Sequence, residues 1–165
     1  ATSYIPTSGA IATRLADSVT GAGDATTFNS TEGVLYFEAA SFVNAGSDRA
    51  ISLFKDNSNT VSLFYFSAIN TIRALILNNG SNQVSIDVVL TDVTDFNKIA
   101  LKYKENDVAL WVNGIERGTD TNCTIPTGLN SLDFKYANSP FFGKTKALAV
   151  FPYLTDQELT ELTTI

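Results

Sequence analysis

Over residues 96–119, FNKIALKYKENDVALWVNGIERGT, apolar and polar positions alternate with a period of two. Ile99, Leu101 and Tyr103 interleave with Ala100, Lys102 and Lys104. Val108, Leu110 and Val112 interleave with Ala109, Trp111 and Asn113. That spacing sends alternate side chains to opposite faces of a strand. Glu105-Asn106-Asp107 separates the two runs, and Asn113-Gly114 suits a type I′ turn, which needs positive φ at both central positions. The stretch is predicted as an antiparallel meander whose third strand covers 115–119. Its β-branched and aromatic residues argue against a helix.

The same reading predicts strands over 34–40, 49–55, 61–67, 72–77, 83–90, 132–136 and 144–151. Polar turns fall at 44–49, 56–59 and 78–82, and an irregular stretch surrounds Pro126 and Gly128. Residues 1–33 read as extended pieces with Gly, Ser and Thr breaks, including a short edge strand at Tyr4-Ile5-Pro6, since proline cannot donate within a ladder. Only the end of the chain reads as helical. Thr155 and Glu158 are spaced as a capping box, with Leu159 and Leu162 turned toward the body. Strands about eight to twelve residues apart with turn signals between them predict a two-sheet antiparallel β-sandwich with a short C-terminal helix. Strand phase puts Leu110, Val112, Leu148 and Val150 between the sheets.

Composition narrows the function. A length of 165 residues fits one domain, read here as 1–165. Apolar residues form 44% of the chain and charged residues 17%, enough for a core without the charge density of a disordered segment. The net charge of −6 excludes non-specific affinity for nucleic acid, which needs clustered Lys and Arg. No run approaches the ~18 apolar residues of a membrane span, and the opening ATSYIPTSG is not signal-like. Cys123 is the only cysteine, so no internal disulfide or cysteine zinc site is expected. The chain has no histidine, which removes Ser-His-Asp and Cys-His catalysis and His-ligated metals.

The hairpin ending in VALWVNGIERG resembles the "V-x-L-x-V-[ND]-G" hairpin of laminin-G-like and pentraxin-like members of the concanavalin A-like lectin/glucanase superfamily. The closing stretch FFGKTKALAVFPYLTDQELTEL resembles their last strand and short helix. With the opening SYIPTSGAIATRLAD, the string is similar to modules of bacteriophage tail and fibre proteins and of secreted bacterial surface proteins. The resemblance implies a jelly roll of two sheets of six or seven strands each, one concave, with sugar bound on the concave face or at its rim. It also implies that residues 1–20 form the junction with a preceding module. Function differs widely within the superfamily.

The superfamily's glucanases carry E-x-D-x-x-E on one strand, placing acid and nucleophile about 5–5.5 Å apart in a retaining enzyme. Neither Glu38-Ala39-Ala40-Ser41 nor Asp87-Val88-Val89-Leu90 provides it, and the lyase type needs a histidine that this chain lacks. No catalytic residue is therefore expected. Trp111, out of phase with the core positions, faces outward as a stacking platform for a sugar ring unless a neighbouring segment covers it. Tyr65 competes with Phe64 and Phe66 for the interior. Arg73 projects beside Trp111 or forms a cross-strand ion pair with Glu38 or Asp133. Lys102 shares the outward phase with Lys104, either as a solvated face or as a contact for an acidic glycan. Trp111, Tyr65, Arg73 and Lys102 are the expected ligand site, with Phe141 and Phe142 on the rim next. No cofactor is expected. Ca²⁺ is the one alternative, suited to the Asp/Asn-rich loops at 56–59, 78–82, 92–95 and 120–122, although none has a dedicated calcium-loop spacing.

The expected function is a non-catalytic carbohydrate-binding module that recognises a cell-surface or environmental polysaccharide. It would work outside the cell or on a virion, beside neighbouring modules and without membrane insertion. The rivals are a structural or oligomerisation module without a ligand and a degenerate glucanase-like or lyase-like enzyme.

Overall fold

A computed structural model describes residues 22–165. The expected edge strand at Tyr4-Ile5-Pro6 and the junction role of residues 1–20 lie outside the described residues. Among the described residues twelve strands and one helix occur in the order β1 (Glu32–Ser41), β2 (Arg49–Asp56), β3 (Asn59–Tyr65), β4 (Thr71–Asn78), β5 (Ser81–Val89), β6 (Asn97–Lys104), β7 (Val108–Val112), β8 (Ile115–Asp120), β9 (Ser131–Asp133), β10 (Lys135–Tyr136), β11 (Ser139–Pro140), β12 (Gly143–Phe151) and α1 (Asp156–Thr163). They form a two-sheet β-sandwich. One sheet runs β12-β1-β6-β7-β8; the other runs β10-β11-β2-β3-β4-β5, with β9 also paired to β2. Pairing is antiparallel except for a parallel contact between Pro140 and Ala50.

The meander forms as its alternation requires. Leu101 pairs with Leu110 and Ala100 with Trp111. Asn113 and Gly114 turn the chain at φ 53° and 79°, the left-handed pair that Asn-Gly accepts at little cost. The predicted strand over 132–136 is instead two short pieces, β9 and β10, on either side of Phe134, whose ring packs edge-on against Phe37 and Phe141.

The main core lies between the sheets. Leu35, Phe37, Ile51, Leu53, Val61, Leu63, Ile72, Ile76, Leu101, Leu110 and Val112 are all buried there. Leu148 and Val150 reach the same core but stay partly exposed, because β12 is an edge strand with β1 on one side only. A second apolar cluster covers the opposite face of the five-stranded sheet, where Val34, Tyr36, Ala100, Ala109 and Trp111 meet Leu159 of α1. The helix is started by the capping box: Thr155 Oγ1 accepts from Glu158 N at 3.3 Å, and Glu158 Oε2 accepts from Thr155 N at 2.8 Å. Leu162 packs at the margin of this cluster.

Candidate functional site: a polar cleft at one rim of the sandwich

The four residues singled out from strand phase do not converge. Trp111 does face away from the main core, but α1 covers it and leaves the ring 7% exposed, so no sugar face can reach it in this arrangement. Tyr65 takes the core between the sheets, in the row of Val61 and Leu63, while Phe64 is buried against Tyr136 and Phe66 stays partly exposed. Tyr65 is buried, and its hydroxyl donates to Ala39 O at 2.6 Å across the sandwich. Burial pushes its phenol well above the ordinary tyrosine range.

Lys102 is also buried, beneath the helix, with Nζ 2.8 Å from Asp107 Oδ1 and 3.3 Å from Asp156 Oδ1. Its apolar stem lies along the second cluster, and its charge is satisfied by two carboxylates rather than offered to a ligand. Arg73 lies on the other sheet from Trp111. Its partner is neither Glu38 nor Asp133 but the directly opposite residue, Asp87. Nε and Nη2 grip the two carboxylate oxygens at 2.6 and 2.7 Å, and the guanidinium carbon lies 3.5 Å above the Phe66 ring. Arg73 thus remains partly exposed but is held from two sides. Phe141 is buried against Phe37 and Tyr65, whereas Phe142 is 43% exposed.

The geometry gathers a different set of residues at the rim where β1–β2, β3–β4 and β11–β12 are joined. Asn70 ties the loops together. Its N–H donates to Asn44 O at 2.7 Å, its carbonyl accepts from Leu90 N at 2.8 Å, and its side-chain amide donates to Thr91 O at 3.0 Å. Asn70 holds φ 51°, a conformation asparagine tolerates better than most residues. Gly46 N donates to Ser67 O, and Asp48 Oδ1 accepts from Ser67 N at 2.8 Å.

Between these loops opens a cleft of about 450 Å³ lined by Gly46, Ser47, Asp48, Arg49, Ser67, Asn138, Ser139, Pro140 and Phe142. Arg49, only 4% exposed, is anchored by Nη1 to Ser41 Oγ at 3.0 Å and Val43 O at 3.5 Å, and by Nη2 to Ala45 O at 2.8 Å. Burial draws its guanidinium below the usual arginine range, and the nearby Asp48 opposes that shift. The same rim carries exposed Phe42, Val43 and Ile69. A half-exposed ring beside carboxylate, guanidinium, amide and hydroxyl groups is suited to the alternating apolar and hydroxylated faces of a sugar.

Sequence reading missed Asp48, Arg49 and Asn138 because each falls in a turn or at a strand start, where polar residues are ordinary. The one signal that pointed here was the adjacent pair Phe141-Phe142, only one of which strand phase can bury.

Two other clefts are less suited. The one at the β5 end, about 440 Å³, is lined by Asp92, Asn97, Asn113 and Arg117 among others. Several of its polar groups are already engaged by the loop itself: Asp92 Oδ1 accepts from Thr94 N, and Asn97 Nδ2 donates to Asp92 O and Asp95 O. The third, about 420 Å³, lies beside Phe54, Asn57 and Lys135 and shares Asn138 with the rim cleft.

In three of the loops considered for Ca²⁺, at 56–59, 92–95 and 120–122, a carboxylate oxygen is taken up by the loop's own backbone N–H. Asp56 Oδ1 accepts from Ser58 N, and Asp120 Oδ1 from Asn122 N. Among the described residues no group of three or more His, Cys, Asp or Glu side chains could hold a metal ion. Glu38 and Asp87 sit on different sheets, and each faces a basic partner, Lys146 and Arg73. Among the described residues no helix is long and apolar enough to cross a membrane.

No protein-family model and no curated protein sequence matches the chain. Solved structures do. The CBM40 domain of the Ruminococcus gnavus IT-sialidase, bound to α2,3-sialyllactose, superposes with a TM-score of 0.69 at 18% identity over 92% of this chain and 97% of that one. Domain 4 of AbnA, an extracellular arabinanase of family GH43 from Geobacillus stearothermophilus solved with arabinotriose, gives 0.67 at 15% identity, covering 83% and 68%. The leech intramolecular trans-sialidase complexed with 2,7-anhydro-Neu5Ac gives 0.61 at 21% identity, but this chain spans only 24% of it. At such identities the likeness establishes the shared β-sandwich fold and nothing finer.

Proposed function

We propose that this domain is a non-catalytic carbohydrate-binding module of the concanavalin A-like, laminin-G-like kind, and that its glycan site is the rim cleft around Arg49 and Phe142. The observation that carries the reading is the cleft itself, where an exposed aromatic ring stands beside Asp48, Arg49, Asn138 and Ser139. Phe142 supplies the stacking surface first assigned to Trp111. Fold neighbours solved with sialyllactose and arabinotriose support the same class of ligand. The domain works as part of a phage tail or secreted protein that presents it to a cell-surface or environmental polysaccharide. Several copies would compensate by avidity for the modest affinity of one small site.

The test is a glycan array on the purified chain, followed by titration of the hits against wild type and Phe142→Ala. We expect Kd values of order micromolar to millimolar, about −4 to −8 kcal/mol. Phe142→Ala should weaken them at unchanged thermal stability. An array without a single reproducible hit overturns the reading in favour of a spacer module.

A further inference from the structure

The rim cleft holds a buried guanidinium that makes no direct ion pair with any of the described residues. A guanidinium offers five N–H donors. In Arg49 the hydroxyl of Ser41 and the carbonyls of Val43 and Ala45 engage both Nη atoms, and nothing among the described residues accepts from Nε. All three acceptors are neutral. The ion pairs of the described residues do not include Arg49, and Asp48, in the same cleft, acts on it only at longer range. A buried cation is ordinarily paired, because taking it out of water without an opposite charge is costly.

The molecule contains its own comparison. Arg73, far more exposed, uses its Nε and Nη2 to hold both oxygens of Asp87. That edge of a guanidinium matches a carboxylate in a two-point fork. Among the described residues no carboxylate meets the corresponding edge of Arg49, and the residue lines an open cleft.

We propose that the ligand of this cleft is a glycan bearing a carboxylate, and that Arg49 receives that group while Phe142 stacks on the sugar ring. The inference rests on the carbohydrate-binding reading above and adds the chemical class of the sugar. Asp48 tunes the preference. Its charge lies in the same cleft and opposes the acid, so it weakens an acidic ligand more than a neutral one.

Isothermal titration of the whole chain tests this with two acid sugars, 3′-sialyllactose and tri-galacturonic acid, and two neutral ones, lactose and arabinotriose. The two acids distinguish a nine-carbon sialic acid from a hexuronic acid as the source of the carboxylate. At least one acid should bind about tenfold more tightly than the neutral sugars, as a charge-assisted forked contact provides. Arg49→Gln, which removes the charge, should abolish that preference. Because the anchoring hydrogen bonds to Ser41, Val43 and Ala45 are disturbed, the variant should melt lower and is titrated well below its transition, with circular dichroism confirming the fold. Asp48→Asn keeps the acceptor for Ser67 N and should widen the preference several-fold, a gain that loop damage would not produce.

Neutral sugars that bind as tightly as the acids, with affinity lost in Phe142→Ala, would overturn the acid inference and leave the glycan reading standing. An acid preference that survives Arg49→Gln in the folded variant would remove Arg49 from the site, and one that Asp48→Asn fails to widen would put the carboxylate outside this cleft. No binding by any of the four, together with an empty array, would overturn both readings.

Discussion

Lys102 Nζ, on β6, lies 3.3 Å from Asp156 Oδ1 in the first turn of α1. This contact joins the only helix among the described residues to the outer face of the five-stranded sheet, and Asp107 completes it from the turn after β6 at 2.8 Å. Under the same helix lie Trp111 and Leu159. Docking α1 is what turns the outward face of β6 and β7 from a candidate binding surface into a second core.

Leu159 has no exposed surface, and Leu159→Ala should cost about 2–5 kcal/mol as a core truncation. Trp111 is the only tryptophan, so its fluorescence reports on this contact alone. Emission should shift to the red in the variant before global unfolding in urea. An unshifted spectrum would mean that the helix does not shield the indole.

Leu110 and Leu148 both point into the main core, but Leu110 is fully buried on a central strand and Leu148 only partly on an edge. Leu110→Ala should lose about 2–5 kcal/mol and Leu148→Ala distinctly less. Denaturant midpoints at constant m-value measure the difference, and equal losses would contradict the edge position of β12.

Thr155→Ala removes the oxygen that accepts from Glu158 N and should lose about 1 kcal/mol. Calorimetric melts of Thr155→Ala and Thr155→Ser separate the cap from general side-chain loss. Serine should restore most of the stability, and a melt as low as that of alanine would discount the capping hydroxyl.

The hydrogen bonds from Arg73, with its charge, hold the Asp87 carboxyl below its ordinary range despite partial burial. A depressed folded-state pKa contributes stability that is complete above the unfolded value of ~3.9 and disappears as pH falls through the folded value. Both side chains are more than a quarter exposed, so the neutral-pH contribution should be no more than about 0.2–1 kcal/mol. The stability difference between wild type and Asp87→Asn should therefore be constant above about pH 5 and close as the medium is made more acid. A gap that widens toward low pH would mean the sign is wrong.

Incubation with any polysaccharide the domain binds should release neither reducing ends nor unsaturated products. Glu38 and Asp87 face basic partners on separate sheets, and the chain has no histidine. Turnover abolished by a single Asp or Glu substitution would return the protein to the enzymes of its fold.

Local signals in the chain were enough for the strands of the meander, the Asn113-Gly114 turn and the Thr155–Glu158 cap. Each depends on groups within a few residues of one another: a period of two, a pair of positive φ angles, two reciprocal hydrogen bonds. Strand phase also separated Leu110 from Trp111 correctly. It could not say what lay on the far side of each face. Whether Trp111 stayed open depended on α1, some forty-five residues away in sequence, returning to cover it. Of Phe64 and Tyr65, both buried, Tyr65 joins the Val61–Leu63 row in the main core and donates to Ala39 O of the opposite sheet, while Phe64 is buried by Tyr136, which comes from a distant stretch of chain. The rim cleft was the least legible feature. Asp48, Ser67, Asn138 and Phe142 come from separate stretches that look like ordinary turns, and they meet because Asn70 and the paired strands hold those turns together. Periodicity encodes which way a side chain points relative to its own backbone, whereas a binding site requires side chains from distant segments to point at one another, and that relation exists only once the sheets have packed.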